Sequence, residues 1–106
     1  MSEKIELNEG FIEFHQVDDF ADIHHIEVKS EYRGKGYGAK LMELFLNEMK
    51  KRSVAVVTLE VYVDNQIAIR LYEKFGFVQV NVRRGYYKGI DGLLMRLNLD
   101  KIGFSR

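Results

Sequence analysis

The chain has 106 residues, 46% hydrophobic and 30% charged, which is the scale of one small domain with the balance of an ordinary globular protein. Sixteen basic and sixteen acidic residues cancel, so there is no electrostatic case for nucleic acid or an anionic membrane as partner. The absence of cysteine excludes disulfides, thiolate metal sites and a cysteine nucleophile. No apolar run reaches the ~20 residues of a membrane-spanning helix and the N-terminus lacks a signal-peptide pattern, so a cytoplasmic location is the default expectation. With no repeat, low-complexity stretch or linker, residues 1–106 read as a single domain.

Ile5 to Leu7 and Phe11 to Val17 read as short strands around the turn Asn8-Glu9-Gly10. After the polar pair Asp18-Asp19, residues 22–28 alternate, with Asp22, His24, Ile26 and Val28 expected on one face and Ile23, His25 and Glu27 on the other. An arginine- and glycine-rich turn, Arg33-Gly34-Lys35-Gly36-Tyr37-Gly38-Ala39, follows and opens onto a helix. That helix runs from Gly38 to about Arg52, with Leu41, Met42, Phe45, Leu46 and Met49 as its apolar stripe. The β-branched run 54–63 has the pattern of a central strand covered on both faces. Asp64 or Asn65 can cap a second helix carried by Ile67, Ala68, Leu71 and Phe75 and closed by Gly76. Val78 to Val82 and Leu93 to Leu99 complete the order βββαβαββ, an α/β domain around one mixed sheet.

A strand, a glycine loop and a helix N-terminus together make a site for phosphate, because free N–H groups converge there and the macrodipole favours negative charge. The loop lacks the Gly-Lys-Ser/Thr of a P-loop. It also lacks the third glycine of the dinucleotide fingerprint, whose place is taken by Ala39. A bare chain reversal is the plainer reading of such a turn.

The pattern Arg-x-x-Gly-x-Gly at residues 33–38 resembles the pyrophosphate loop of the GNAT superfamily of acetyl-CoA-dependent N-acetyltransferases. Asn65, Ala68, Tyr72, Gly76 and Phe77 resemble that family's next segment, Asn-x-x-Ala-x-x-x-Tyr-x-x-x-Gly-Phe. Arg83-Arg84-Gly85-Tyr86-Tyr87, Asp91-Gly92 and Leu94-Met95-Arg96-Leu97 resemble the C-terminal hairpin of protein N-terminal acetyltransferases, with the ribosomal-protein alanine acetyltransferases as the nearest branch. The resemblance covers roughly residues 10–99. Members usually begin with a further strand and two helices that wall the acceptor site. The resemblance therefore implies a GNAT-like sheet without those elements, its CoA half intact and its acceptor half reduced.

It also implies the site. The amides from Arg33 to Ala39 would hold the pyrophosphate of acetyl-CoA, aided by the charges of Arg33 and Lys35. Lys35 is equally a solvated loop cation. The backbone of Ile26, Glu27 and Val28 would pair with the pantetheine arm, with the Val28 N–H polarising the thioester carbonyl. Asn65 matches a contact to the CoA arm, although an Asn at a helix start is equally a cap.

Transfer to an amine needs a neutral nitrogen, hence a base. Glu60 leads, because a carboxylate inside an apolar strand is costly unless paired or functional, and it stands where the N-terminal branch places its base. The plain alternative is a solvated glutamate at the strand's open end. His24 and Asp22, on the strand before the loop, are the rivals. Tyr72 falls at the family's acid position, to protonate the departing thiolate, unless it only packs its ring. Tyr86 and Tyr87 would line the acceptor groove or pack across strands.

No metal is expected from three histidines without a cluster at ligand spacing. The expected reaction is direct attack within a ternary complex of acetyl-CoA and a primary amine. A protein or peptide N-terminus is favoured, then lysine or a small amine. The alternatives are a CoA-binding regulatory or structural module without catalysis, or one part of an assembly whose partner supplies the acceptor wall. A homodimer through the edge strand near Ile5 to Val17 is the simplest such cover.

Overall fold

A computed structural model describes residues 2–99, with the backbone alone of Tyr86 and Tyr87. The meander consists of β1 (Ser2–Leu7), β2 (Gly10–Val17) and β3 (Phe20–Val28). A 3₁₀ turn (Ser30–Tyr32) leads to α1 (Tyr37–Lys51), then come β4 (Val56–Tyr62), α2 (Gln66–Lys74), β5 (Val78–Tyr87) and β6 (Ile90–Asn98). The six strands form one sheet in the order β1-β2-β3-β4-β6-β5, antiparallel except for the parallel pair β3–β4. This is the expected mixed α/β sheet of order βββαβαββ.

The connections through α1 and α2 both step across the sheet in the same direction. Right-handed crossovers therefore put both helices on one face. The stripe Leu41, Met42, Phe45, Leu46 and Met49 is buried, and the Phe45 ring meets Phe14 edge-on at 5.1 Å. Phe14 lies opposite Ile23, Ile23 opposite Leu59, and Leu59 opposite Met95, so one apolar row crosses four strands beneath α1. Helix α2 buries Ile69 and Tyr72 and lies beside α1, where a Cβ on Gly38 would stand 3.3 Å from Leu71 Cδ2.

Two expectations are corrected. The helices pack on the face of β4 that carries Val57, Leu59 and Val61; Thr58, Glu60 and Tyr62 alternate onto the other. The continuous β-branched pattern reflects burial of Thr58, 9% exposed, by neighbouring side chains of the sheet rather than by a second layer. The simple alternation of β3 also fails. Glu13 pairs with His25 but Phe14 with Ile23, so His24 is an extra residue, a β-bulge. Beyond it the parity reverses: Ile26 and Val28 pack on the helix face with Ala21 and Ile23, while both histidines stand on the helix-free face. His24 stacks on His15 and lies 3.5 Å from Asp22. His25 meets Phe11 and Glu27.

Arg52, just past α1, ties that helix to the meander. It bonds Glu3 at 2.9 and 3.0 Å, Glu48 at 3.0 Å and Gln16 at 2.8 Å, and sits over the Phe14 ring. The hydrogen bonds from Arg52 hold the Glu3 carboxyl below its ordinary value of 4.5. A depressed carboxylate contributes stability that is present above its unfolded pKa and lost as pH falls through the folded one. Arg52→Met should lower stability by about 1–2 kcal/mol near neutrality. The difference should shrink below pH 4, measured as a denaturant midpoint at unchanged slope.

Candidate active site

The parallel pairing of β3 with β4 runs only from Phe20–Val56 to Ile23–Leu59. Past that point β3 follows β2 and β4 follows β6, and the sheet opens between them. The gap is a cleft of about 370 Å³ between His24, His25 and Ile26 of β3 and Glu60, Val61 and Tyr62 of β4, bounded by Asn65 and Tyr72. A hollow of about 270 Å³ adjoins it, where Asp22, His24, Glu60 and Leu94 meet. Tyr72 belongs to the helix face, whereas Glu60, His24 and Asp22 belong to the helix-free face. The gap joins the two.

One wall of this gap is an open strand edge. The Lys29 N–H bonds Glu9 O at 2.9 Å, so in antiparallel alternation the backbone groups of Glu27, expected on the open edge, point instead to β2, and only those of Ile26 and Val28 point the other way. The Val28 carbonyl accepts from Arg33 Nε at 2.8 Å. Arg33 is thus anchored to the end of β3, with its guanidinium between strand and loop. The Glu27 carboxylate turns to His25 at 3.0 Å.

The loop delivers the chain from this edge to α1. Gly34 and Gly36 have φ of 76° and 90°, in the left-handed region that favours glycine, and a Cβ on either would meet nothing within 4 Å. Open space therefore faces the loop. Gly36 caps α1 without a side-chain hydrogen bond, and the first turn holds no acidic residue. The leading N–H groups of a 15-residue helix are thus left for an anion. Lys35 is exposed beside them, and the Tyr37 ring meets Tyr32 edge-on at 5.8 Å. Gly38 and Ala39 lie in the first turn, and the missing side chain of Gly38 faces α2.

The three carboxylate and imidazole candidates gather around Glu60, each with a partner. Glu60, its side chain 18% exposed, accepts a two-pronged bond from Arg83, Nε to Oε2 at 3.0 Å and Nη2 to Oε1 at 3.1 Å. Asp22 accepts from Thr58 Oγ1 at 2.5 Å and approaches His24 Nε2. Glu60 and His24 line both hollows; Asp22 lines only the smaller. Tyr72 is 8% exposed with its ring 6.1 Å from Phe77, and burial pushes its phenol above the ordinary value of 10.0. Asn65 caps α2 by accepting from the Ala68 N–H at 3.3 Å and also borders the cleft. The side chains of Tyr86 and Tyr87 lie outside the described residues.

Sequence reasoning missed Tyr62 and Arg83. Tyr62 was readable as the residue two after Glu60 on the same face. Arg83 was not, because two irregularities in the β5–β6 register set its position.

Residues 10–77 match the model of the Acetyltransferase (GNAT) family. The [ribosomal protein bS18]-alanine N-acetyltransferase of Escherichia coli strain K12 is 42% identical over 74 residues, covering 70% of this chain and 50% of that protein. The crystal structure of the ribosomal-protein-S18-alanine N-acetyltransferase from Escherichia coli superposes with a TM-score of 0.82 at 37% identity, covering 85% of this chain and 61% of the other. The NatC complex bound to Gag peptide and CoA contains a chain matching at 28% identity with a TM-score of 0.78, covering 85% of this chain and 60% of that one. The chain spans about half the length of the curated relatives it matches.

Proposed function

The chain belongs to the acetyltransferase (GNAT) family, and from that premise we propose that it transfers acetyl from acetyl-CoA to the N-terminal amine of a protein or peptide, by direct attack in a ternary complex. The observation that carries this reading is the gap in the sheet past Ile23 and Leu59. An open strand edge leads from an anion-ready loop to a point where groups from both faces meet. The ribosomal-protein alanine N-acetyltransferase activity of the bacterial relatives and the CoA bound in the NatC complex support the same donor and acceptor.

Each residue then has a task. The amides of Gly34 to Ala39 receive the pyrophosphate, with Lys35 and Arg33 adding positive charge. The outward backbone groups of Ile26 and Val28 pair with the amide-bearing arm, Glu27 holds that edge against β2, and the Val28 N–H donates to the thioester oxygen as charge develops on it. Asn65 borders the arm.

The acceptor enters from the helix-free face. Its nitrogen attacks the thioester carbonyl carbon, forming the C–N bond, and its proton passes to Glu60, with His24 and Asp22 as the rival or relaying groups. Collapse breaks the C–S bond, and the phenol of Tyr72 donates to the leaving sulfur. An α-amine, with a pKa near 7.7–8.0, is neutral about 300-fold more often at pH 7 than a lysine near 10.4. That difference favours an N-terminus over a side chain at a site whose base is already held by an arginine.

A cytoplasmic setting belongs to the same proposal; no helix among the described residues is long and apolar enough to cross a membrane. A homodimer through β1 is the weaker part of it, since Lys4 and Glu6 are exposed on that edge strand and charges of this kind oppose edge pairing.

Two measurements test the reading. Release of free CoA should be followed over a panel of peptides; release with none of them, at saturating acetyl-CoA, would remove the transfer. Gly36→Val should weaken acetyl-CoA binding roughly 10- to 100-fold by straining the cap and filling the space before the amides. Calorimetry checks this, and unchanged affinity in the folded variant would remove the loop assignment. Gly36 is the cleaner position, because a side chain at Gly38 would also push on Leu71.

A further inference from the structure

Glu60 does not face the cleft alone. Its carboxylate is held through two hydrogen bonds, at 3.0 and 3.1 Å, by the guanidinium of Arg83. The two residues belong to different strands: Glu60 on β4 lies opposite Leu94 of β6, and Arg83 on β5 lies opposite Gly92 of β6. The pair thus bridges over β6 on the helix-free face, where Gly92 offers no side chain to hold the partners apart. The Glu60 side chain is 18% exposed and that of Arg83 65% exposed. The carboxylate is set into the sheet while the cation reaches it from solvent on a long, flexible stem. An ion pair with one partner so exposed is weak and exchangeable, because water and salt screen it and ordering the side chain offsets much of the attraction.

The arriving amine must displace this pair, at least in part, to reach Glu60. A neutral or basic acceptor would leave the guanidinium without its carboxylate. An acceptor that carries its own carboxylate a few bonds from the amine replaces both halves of the bond: the amine goes to Glu60 and the carboxylate to the fork of Arg83, a geometry guanidinium matches well. The geometry points to acceptors of this class, chiefly peptides whose first residue is Asp or Glu, with Arg83 as the residue that selects them. Arg96, opposite Thr58 on the same face, adds positive charge nearby, against Asp22 as the neighbouring negative one. This inference rests on the reading of Glu60 as the amine's partner and adds the acceptor's chemistry to it.

The test uses the full chain saturated with CoA, so that binding is read without turnover, and with acetyl-CoA for rates. Peptides differing only in a first residue of Asp, Glu, Ala or Lys are titrated, together with free glutamate and alanine as the small-molecule arm. Asp- or Glu-first peptides are expected to bind roughly two- to fivefold better than Ala-first ones, with a margin that narrows as salt rises. Arg83→Gln should abolish that margin, chiefly through KM, leaving acetyl-CoA affinity unchanged. Arg83→Lys should restore part of it. Free glutamate outbinding free alanine, with the same loss in Arg83→Gln, would assign the fork to a small acidic amine. Equal binding of acidic and neutral acceptors by the unaltered chain, or an acid preference that survives Arg83→Gln, overturns the inference. Acid-selective binding without any acetyl transfer keeps Arg83 as the selecting residue and removes the catalytic reading instead.

Discussion

Tyr72→Phe should slow acetyl transfer by about 10²-fold or more while leaving acetyl-CoA affinity nearly unchanged. Burial raises the phenol above 10.0, so it remains protonated throughout the working range and is always a donor. The same shift limits what it can do. A thiol is a stronger acid than a phenol raised in this way, so complete transfer of the phenol proton to the thiolate runs uphill. On the proposed mechanism Tyr72 would contribute a hydrogen bond that strengthens as negative charge reaches the sulfur; the phenol keeps its proton, the thiolate takes one from water, and Glu60 returns the amine's proton to water. Such a bond acts on kcat and kcat/KM equally. Turnover at the unaltered rate in the Phe variant would reduce Tyr72 to the packing partner of Phe77.

Glu60→Gln should cost a comparable factor, about 10²–10⁴ in kcat, if its carboxylate takes the amine's proton. The amide is nearly isosteric but cannot accept that proton, and the residual rate should follow only the fraction of acceptor already neutral in solution, levelling near the amine's own pKa of about 8. His24→Gln should stay within about threefold of the unaltered chain. Rate–pH profiles of the two variants measured side by side separate the candidates: a large loss in His24→Gln with little in Glu60→Gln would move the base to the bulge of β3.

What was legible in the sequence was whatever a local period or a local spacing encodes. The five-residue stripe of α1, the Asn65 cap, the turn at Asn8 and the run of β4 each follow from neighbours within a few positions, and each stands where the residues put it. The bulge at His24 was not legible. Its cause is a register between β2 and β3, and nothing in Ile23-His24-His25-Ile26 announces the extra residue, so the faces of everything after it were assigned in reverse. The one-sided cover of β4 was hidden for a related reason. Thr58 and Glu60 are screened by side chains of neighbouring strands, and a strand shielded that way has the same composition as one between two helical layers. The residues of the cleft divide along the same line. Glu60, Tyr72 and His24 could be named from type and place, whereas the Arg83 fork required knowing that β5 and β6 pair with two irregularities.

The central claim is that donor and acceptor meet in the gap between β3 and β4 and that acetyl passes directly from one to the other. A single-turnover quench with equal amounts of protein, acetyl-CoA and an Asp-first peptide, analysed by mass for both peptide and protein, tests it most directly. The account predicts one acetyl group on the peptide's α-amine, matched by free CoA, with no acetylated protein at any time. Acetyl found first on the protein, or on a lysine side chain of the peptide in place of its α-amine, would contradict it.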